Sequence, residues 1–236
     1  MRTFLILGMF TASLAHAAWR DYQETRDLTP DANGIETVVI EAGAGSLEVR
    51  GSADARSISV TAYIHVPAKE AKALRIIESD MVLKLERDGD SALLHGYFEH
   101  SGWNWGDSPS IRLDVELPGR VGLDIEDGSG SMQIWDVSGD IKIDDGSGSL
   151  QMSNVGGDIE IEDGSGSVSI EGVGGDISIN DGSGSITIKD VRGSVVVDDG
   201  SGSINVTDVD ADLTIINDGS GSLSFARIEG RVEKAD

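Results

Sequence analysis

The chain has no cysteine. That excludes disulfides, thiolate nucleophiles, cysteine-ligated metals and an N-terminal lipidated cysteine. Aromatic residues make up only 5%, and proline occurs four times, at Pro30, Pro67, Pro109 and Pro118. All four precede residue 119, which leaves the second half free of the residue that breaks β-ladders. Basic residues are also few. There are 18 of them against 42 acidic ones, for a net charge of -24. So acidic a surface repels nucleic acid and anionic lipid, and nucleic acid is excluded as a partner. Beyond the first residues there is no apolar run of the ~20 residues that a membrane-spanning helix needs.

Glycine is plentiful, at 31 residues, alongside 39% hydrophobic residues. This much regular apolar content argues against disorder. The start of the chain carries an address. Arg2 is positive, Phe4 to Leu14 is apolar or small, and Ala15-His16-Ala17 offers a small-x-small cleavage site. Residues 1–17 therefore read as a signal peptide cleaved after Ala17. The mature protein is expected in the periplasm, in the cell envelope or outside the cell.

The strongest signal is a repeat. The element Asp-Gly-Ser-Gly-Ser starts at Asp127, Asp145, Asp163, Asp181, Asp199 and Asp218. The spacing is 18 residues, and 19 at the last step, where Ile215-Ile216 doubles one apolar position. Such a slip predicts a bulge. In the third coil Ile159 and Ile161 alternate with Glu160 and Glu162, and Val168 and Ile170 flank Ser169. That is the period of a strand with one buried face. Val173 adds a fifth apolar position at a corner. Ile161 and Val168 are seven apart, so a straight strand would point them to opposite faces. Gly164-Ser165-Gly166 must turn the chain for both to face one core.

A lone coil cannot bury its strands, but stacked coils can, each strand pairing in parallel with its equivalents ~4.8 Å away. The fold expected is all-β: a parallel β-helix, or β-solenoid, of six coils over residues 119–236, right-handed as parallel crossovers are by default. The left-handed hexapeptide solenoid needs an apolar residue every six positions, and this sequence does not supply it. Residues 18–118 are expected to form a β-rich region that caps or begins the solenoid. There Val38 to Val49 reads as a degraded copy of Val195 to Val206. Ser57 to Val66 and Ile111 to Leu117 read as strands, Pro67 to Ile77 as a short helix, and Met81 to Leu85 with Ala92 to Phe98 as a hairpin around Asp88-Gly89-Asp90. At the far end Arg231 to Asp236 is a charged tail that would blunt the last edge.

Gly-Ser-Gly-Ser followed by alternating apolar residues, then Val-x-Gly-Asp, with the lead-in Ile111-Arg112-Leu113-Asp114-Val115-Glu116-Leu117-Pro118, resembles exported bacterial adhesin-like domains of unknown function. Their β-strand repeats are similar to the β-helix heads of autotransporter adhesins. The resemblance spans roughly residues 35 to 230. It implies the fold and an adhesin-like role, and it brings no catalytic residues.

Three sets of residues are candidates for function. Asp127, Asp145, Asp163, Asp181, Asp199 and Asp218 should stack along one edge, where they either accept backbone N–H bonds in their own turns or hold calcium. The calcium-binding nonapeptide repeat is excluded, because its ligand aspartate position is occupied by Val168 and its equivalents. Tyr97, Phe98, Trp103 and Trp105 form the one aromatic concentration and are the candidate ligand contacts, suited to stacking on a sugar or anchoring a partner protein. The alternative is that Trp103 and Trp105 pack onto the cap. Gln133, Gln151, Ser169, Thr187, Asn205 and Ser224 form a polar outward strip, which either contacts a sugar polymer or is an ordinary solvated face. No His or Ser stands out from the repeat as a catalytic group. The function expected is therefore an exported, non-enzymatic surface that binds an envelope protein or polysaccharide. A calcium-stabilised structural protein is the alternative, and a carbohydrate-active enzyme the third reading.

Overall fold

The computed structural model describes residues 21–99 and 108–235. The expected signal peptide and both Trp103 and Trp105 lie outside the described residues. The protein is a β-solenoid whose strands form two stacks. One coil consists of β9 (Ile141–Asp145), a corner, and β10 (Gly148–Val155). It is followed by β11 (Ile159–Asp163) with β12 (Gly166–Val173), β13 (Ile177–Asp181) with β14 (Gly184–Val191), and β15 (Val195–Asp199) with β16 (Gly202–Val209). The sixth coil is β17 (Leu213–Asn217) with β18 (Ser222–Ile228). Pairing is parallel throughout these coils, and in register up to β15. Ile141 meets Ile159, Ile159 meets Ile177, and Ile177 meets Val195. In the other stack Leu150 meets Val168, Val168 meets Ile186, and Ile186 meets Ile204. The first coil is a single bent strand, β8 (Gly122–Trp135). Its first part pairs with β9 and its last part with β10.

All five apolar positions per coil point inward. In the third coil Ile159, Ile161, Val168, Ile170 and Val173 are each 1–2% exposed. Close approach between coils explains the corner glycines. Gly166 has φ +153, and a Cβ there would lie 1.7 Å from the carbonyl oxygen of Gly148 in the coil before. No side chain fits such a gap.

The corner at Val173 and its equivalents is present too, and its left-handed backbone, just before the apolar residue, was not anticipated. Asp136, Asn154, Asp190, Asp208 and Arg227 all have φ between 55 and 61, and Gly172 holds the same place with φ 75. Left-handed backbone suits Gly, Asn and Asp and costs other residues roughly 1–2 kcal/mol. Asn154 also donates from Nδ2 to Asp136 Oδ1 at 3.1 Å. Asn154→Ala is therefore expected to destabilise by about 1–2 kcal/mol and Asn154→Gly by clearly less, as read by urea denaturation.

The stack extends beyond the six coils. β2 (Thr37–Ala44) and β3 (Leu47–Ser52) form one more coil, with Val38 on Leu123, Ile40 on Ile125 and Leu47 on Met132. The degraded copy of the repeat is therefore a real coil. Beyond it lies a coil made from β6 (Ser91–Phe98) and β7 (Ser110–Pro118), with Leu94 on Ile40 and Leu113 on Leu47. This coil comes later in the sequence yet sits further out. The expected hairpin is present: β5 (Met81–Asp88) pairs antiparallel with β6. β4 (Ser59–Val66) pairs antiparallel with β7, and β1 (Tyr22–Leu28), which the sequence did not suggest, pairs antiparallel with β4. Antiparallel strands end the parallel stack on this side.

The helix α1 spans Glu70–Asp80 rather than starting at Pro67, because Lys69 is still extended, with ψ 146. It carries the chain from β4 in one stack to β5 in the other. Its buried Ala73, Ile76 and Ile77 join the core. No helix among the described residues is long and apolar enough to cross a membrane.

The opposite end is lightly covered. The 19-residue spacing does produce a register shift between β15 and β17. β19 (Val232–Lys234) pairs with β17, so the charged tail extends one stack only. Leu223 and Ile228 are partly buried and Phe225 is 45% exposed, where equivalent residues in inner coils are sealed.

Candidate functional site

Five of the six aspartates do not line an outer edge. Asp163 has the same parity as Ile159 and Ile161, and it points inward with them. Asp127, Asp145, Asp163, Asp181 and Asp199 are only 0–5% exposed. The pairing places each on the next, Asp145 on Asp163 and Asp163 on Asp181, to give a column of carboxyls inside the solenoid. The turn role is present too. Oδ1 of Asp145, Asp163, Asp181 and Asp199 accepts the backbone N–H of Ser147, Ser165, Ser183 and Ser201 at 2.9–3.1 Å. Burial pushes all five carboxyls above the usual range. Asp127 rises to about 7, through desolvation first and then the charge of Asp145. Asp181 rises to about 6, through desolvation and then Asp163 and Asp199.

The column has defined ends. Ala42 stands on Asp127, and Gly96 on Ala42. Asp218 is displaced by the bulge and does not share the column's burial. Its Oδ2 accepts from Lys234 Nζ at 2.8 Å, and its carboxyl is 27% exposed. Asn217 takes over the turn bond, accepting the Gly219 N–H at 3.0 Å.

A separate series of aspartates does lie outside. Oδ1 of Asp140, Asp158 and Asp176 accepts the backbone N–H of Asp158, Asp176 and Ser194, each in the next coil. These carboxylates staple coils together across the corner that precedes each first strand. Ion pairs between coils add to this, as in Lys189 with Glu171 at 2.8 Å and Lys142 with Glu160 at 3.4 Å. At such exposure each contributes little.

The aromatic set divides. Phe98 packs against the core, whereas Tyr97 lies on the outer side of β6, with its ring edge-on to His95 at 6.2 Å. His95 Nδ1 is 2.6 Å from Glu41 Oε2. These two residues are 54 apart in sequence and meet only because β6 pairs with β2, so no local signal could have joined them. In the repeat, the inward aspartate and the second corner glycine are three residues apart, as in Asp145 and Gly148. In the β6–β7 coil the matching positions are Gly96 and Ile111, fifteen apart. The segment that carries Trp103 and Trp105 is therefore an insertion at the same corner that Asp-Gly-Ser-Gly-Ser makes elsewhere. Trp135 ends β8 at a coil corner. The polar strip stacks in register, with Gln133 on Gln151 and Thr187 on Asn205, and is exposed along its length. Among the described residues no group of three or more His, Asp or Glu is placed to hold a metal ion.

No protein-family model matches the chain, and no curated protein does. Among solved structures it is similar to a candidate cell adhesion protein from Clostridium sporogenes, at TM-score 0.43 and 12% identity, over 91% of this chain and 100% of that one. A candidate adhesin from Bacteroides fragilis gives TM-score 0.44 and 10% identity, over 91% and 97%. A candidate lipid-binding protein from Parabacteroides distasonis gives 0.30 and 12%, over 91% and 97%. Likenesses this distant leave the fold to rest on the strand pairing and the function on the chain's own residues.

Proposed function

We propose that the protein is an exported, non-enzymatic solenoid that presents a binding surface to an envelope polysaccharide or protein, with the insertion between β6 and β7 as the contact. The observation that carries this reading is the placement of that insertion. Seven coils turn the corner in a few residues, and one spends twelve more there, on a stretch that concentrates tryptophan in a chain with little aromatic content. A rigid rod with one aromatic extension suits stacking on sugar rings or anchoring in a partner's pocket. Tyr97, on the outer side of β6 and six residues before Trp103 in sequence, is a second candidate contact. Phe98 stays with the core.

The test is binding of the purified mature protein to isolated envelope polysaccharides and to an envelope protein extract. The double variant Trp103→Ala, Trp105→Ala is expected to weaken binding by about tenfold or more without lowering the melting temperature. Unchanged binding would remove the insertion as the contact. Release of sugar products during the incubation would replace the reading with an enzymatic one.

A further inference from the structure

The turn role leaves the interior aspartate column half explained. It needs one oxygen per residue. Oδ2 of Asp163, Asp181 and Asp199, and both oxygens of Asp127, are buried with no hydrogen-bond partner. An ionised carboxylate there loses its hydration and recovers at most the one turn hydrogen bond. Neighbours ~4.8 Å apart along the stack add mutual repulsion. Among the described residues, no cation faces the column from inside. Inward neighbours such as Ile143 and Val168 are apolar. Outward beside them on the same strands stand Glu126, Asp144, Glu162 and Asp198, with the uncharged Asn180, and the cation of β9, Lys142, points outward and pairs with Glu160. Beyond the last member, Lys234 is engaged by Asp218. Ala42 and Gly96 close the other end with uncharged residues.

We propose that the interior aspartates form a proton-binding column, in which carboxyl groups of successive coils are joined by protons taken from solvent. The carboxyl O–H of one donates to the free oxygen of the next. Each bound proton cancels one buried charge and satisfies two buried oxygens. No covalent bond other than O–H forms or breaks.

The sign of the pH effect follows. These carboxyls hold their protons more tightly in the folded chain than the ordinary value near 3.8, up to about 7 for Asp127 and about 6 for Asp181. As pH rises above about 4 the unfolded chain releases protons and the folded chain does not. Stability from this column is thus lost across pH 4 to 7. Asp208 and Asp212, held below the usual range by Arg227 and Arg231, titrate under that window.

The experiment is thermal unfolding of the mature full-length chain from pH 4.5 to 8.5 with chelator present, beside the isosteric variant Asp163→Asn, Asp181→Asn. Asparagine keeps the oxygen that accepts from Ser165 and Ser183 and brings its own donor for the neighbouring coil. The wild-type midpoint is expected to fall steadily with rising pH. The variant is expected to depend less on pH and to melt higher than wild type at pH 8. Infrared spectra of the folded wild type at pH 6 should show the carbonyl stretch of neutral carboxylic acid, reduced in the variant. A wild-type midpoint that is level or rising over this range, or no carboxylic acid band, overturns the proposal. So does calcium at pH 8 raising the wild-type midpoint to its pH 4.5 value while leaving the variant unmoved, since the column would then take cations.

Discussion

Gly166→Ala is expected to remove about 3–5 kcal/mol of stability, a large effect for a single methyl group. Two costs act together. The backbone at Gly166, with φ +153, is one that side chains rarely adopt, and the added Cβ would sit 1.7 Å from the Gly148 carbonyl oxygen. That atom belongs to backbone locked in two ladders, so it cannot swing aside as a flexible side chain would. Relief requires the corners of two coils to separate, which strains the register of β10 on β12. In a one-dimensional stack each coil is held only by its neighbours, so a break in the middle uncouples both halves. Gly89→Ala is the matched control. Gly89 also has positive φ, +64, but nothing lies within 4 Å of its added Cβ. Its expected cost is about 1 kcal/mol, from backbone strain alone. Urea denaturation of the two variants decides the matter. A loss at Gly166 no larger than at Gly89 would mean that adjacent corners are not in close contact.

The solenoid was legible because its determinants are local and repeated. Ile159, Ile161, Val168, Ile170 and Val173 can be assigned to one face by counting parity, and six copies remove ambiguity. The same count assigns Asp163 inward, two residues beyond Ile161. Charge and a neighbouring Gly-Ser-Gly make it look like an exposed turn residue, so parity and residue type pointed in opposite directions, and parity won. The left-handed corner was also written in the sequence, as Asp, Asn, Gly, Asp and Asp at equivalent places, but it is hidden by Arg227 and by the more conspicuous glycines nearby. The N-terminal coils were harder. β2 with β3 keeps enough of the repeat to be recognised. β6 with β7 has lost the aspartate and the glycine corner, and it lies outside a coil that precedes it in sequence. No periodic signal encodes that order; it follows from long-range pairing. His95 with Glu41 depends on it in turn. Trp103 and Trp105 fall outside the described residues, so their part of the site rests on where the insertion is attached.

Deleting residues 159–176 is expected to leave a folded, cooperatively melting rod shorter by one coil, whereas deleting residues 159–167 is expected to abolish folding of everything downstream. The first deletion joins Asp158 to Ile177, so β9 pairs with β13 and β10 with β14. Ile141 then faces Ile177 and Leu150 faces Ile186, both apolar matches. Asp158 meets the Ser194 N–H, a donor already used by Asp176 in the intact stack. Only Lys142 and Lys189 lose partners, Glu160 and Glu171, in exposed pairs worth little. Losing one coil should reduce the urea m-value in rough proportion to chain length, because exposed surface sets that slope. The nine-residue deletion instead removes β11 with its corner and keeps β12 from Val168 onward. The chain must then run from one β10 corner directly into a strand that belongs to the same stack, with no crossing strand to return it. Every later inward side chain loses its seat. Circular dichroism and melting profiles separate the outcomes. If both deletions melted alike, the eighteen-residue coil would not be the unit of this fold.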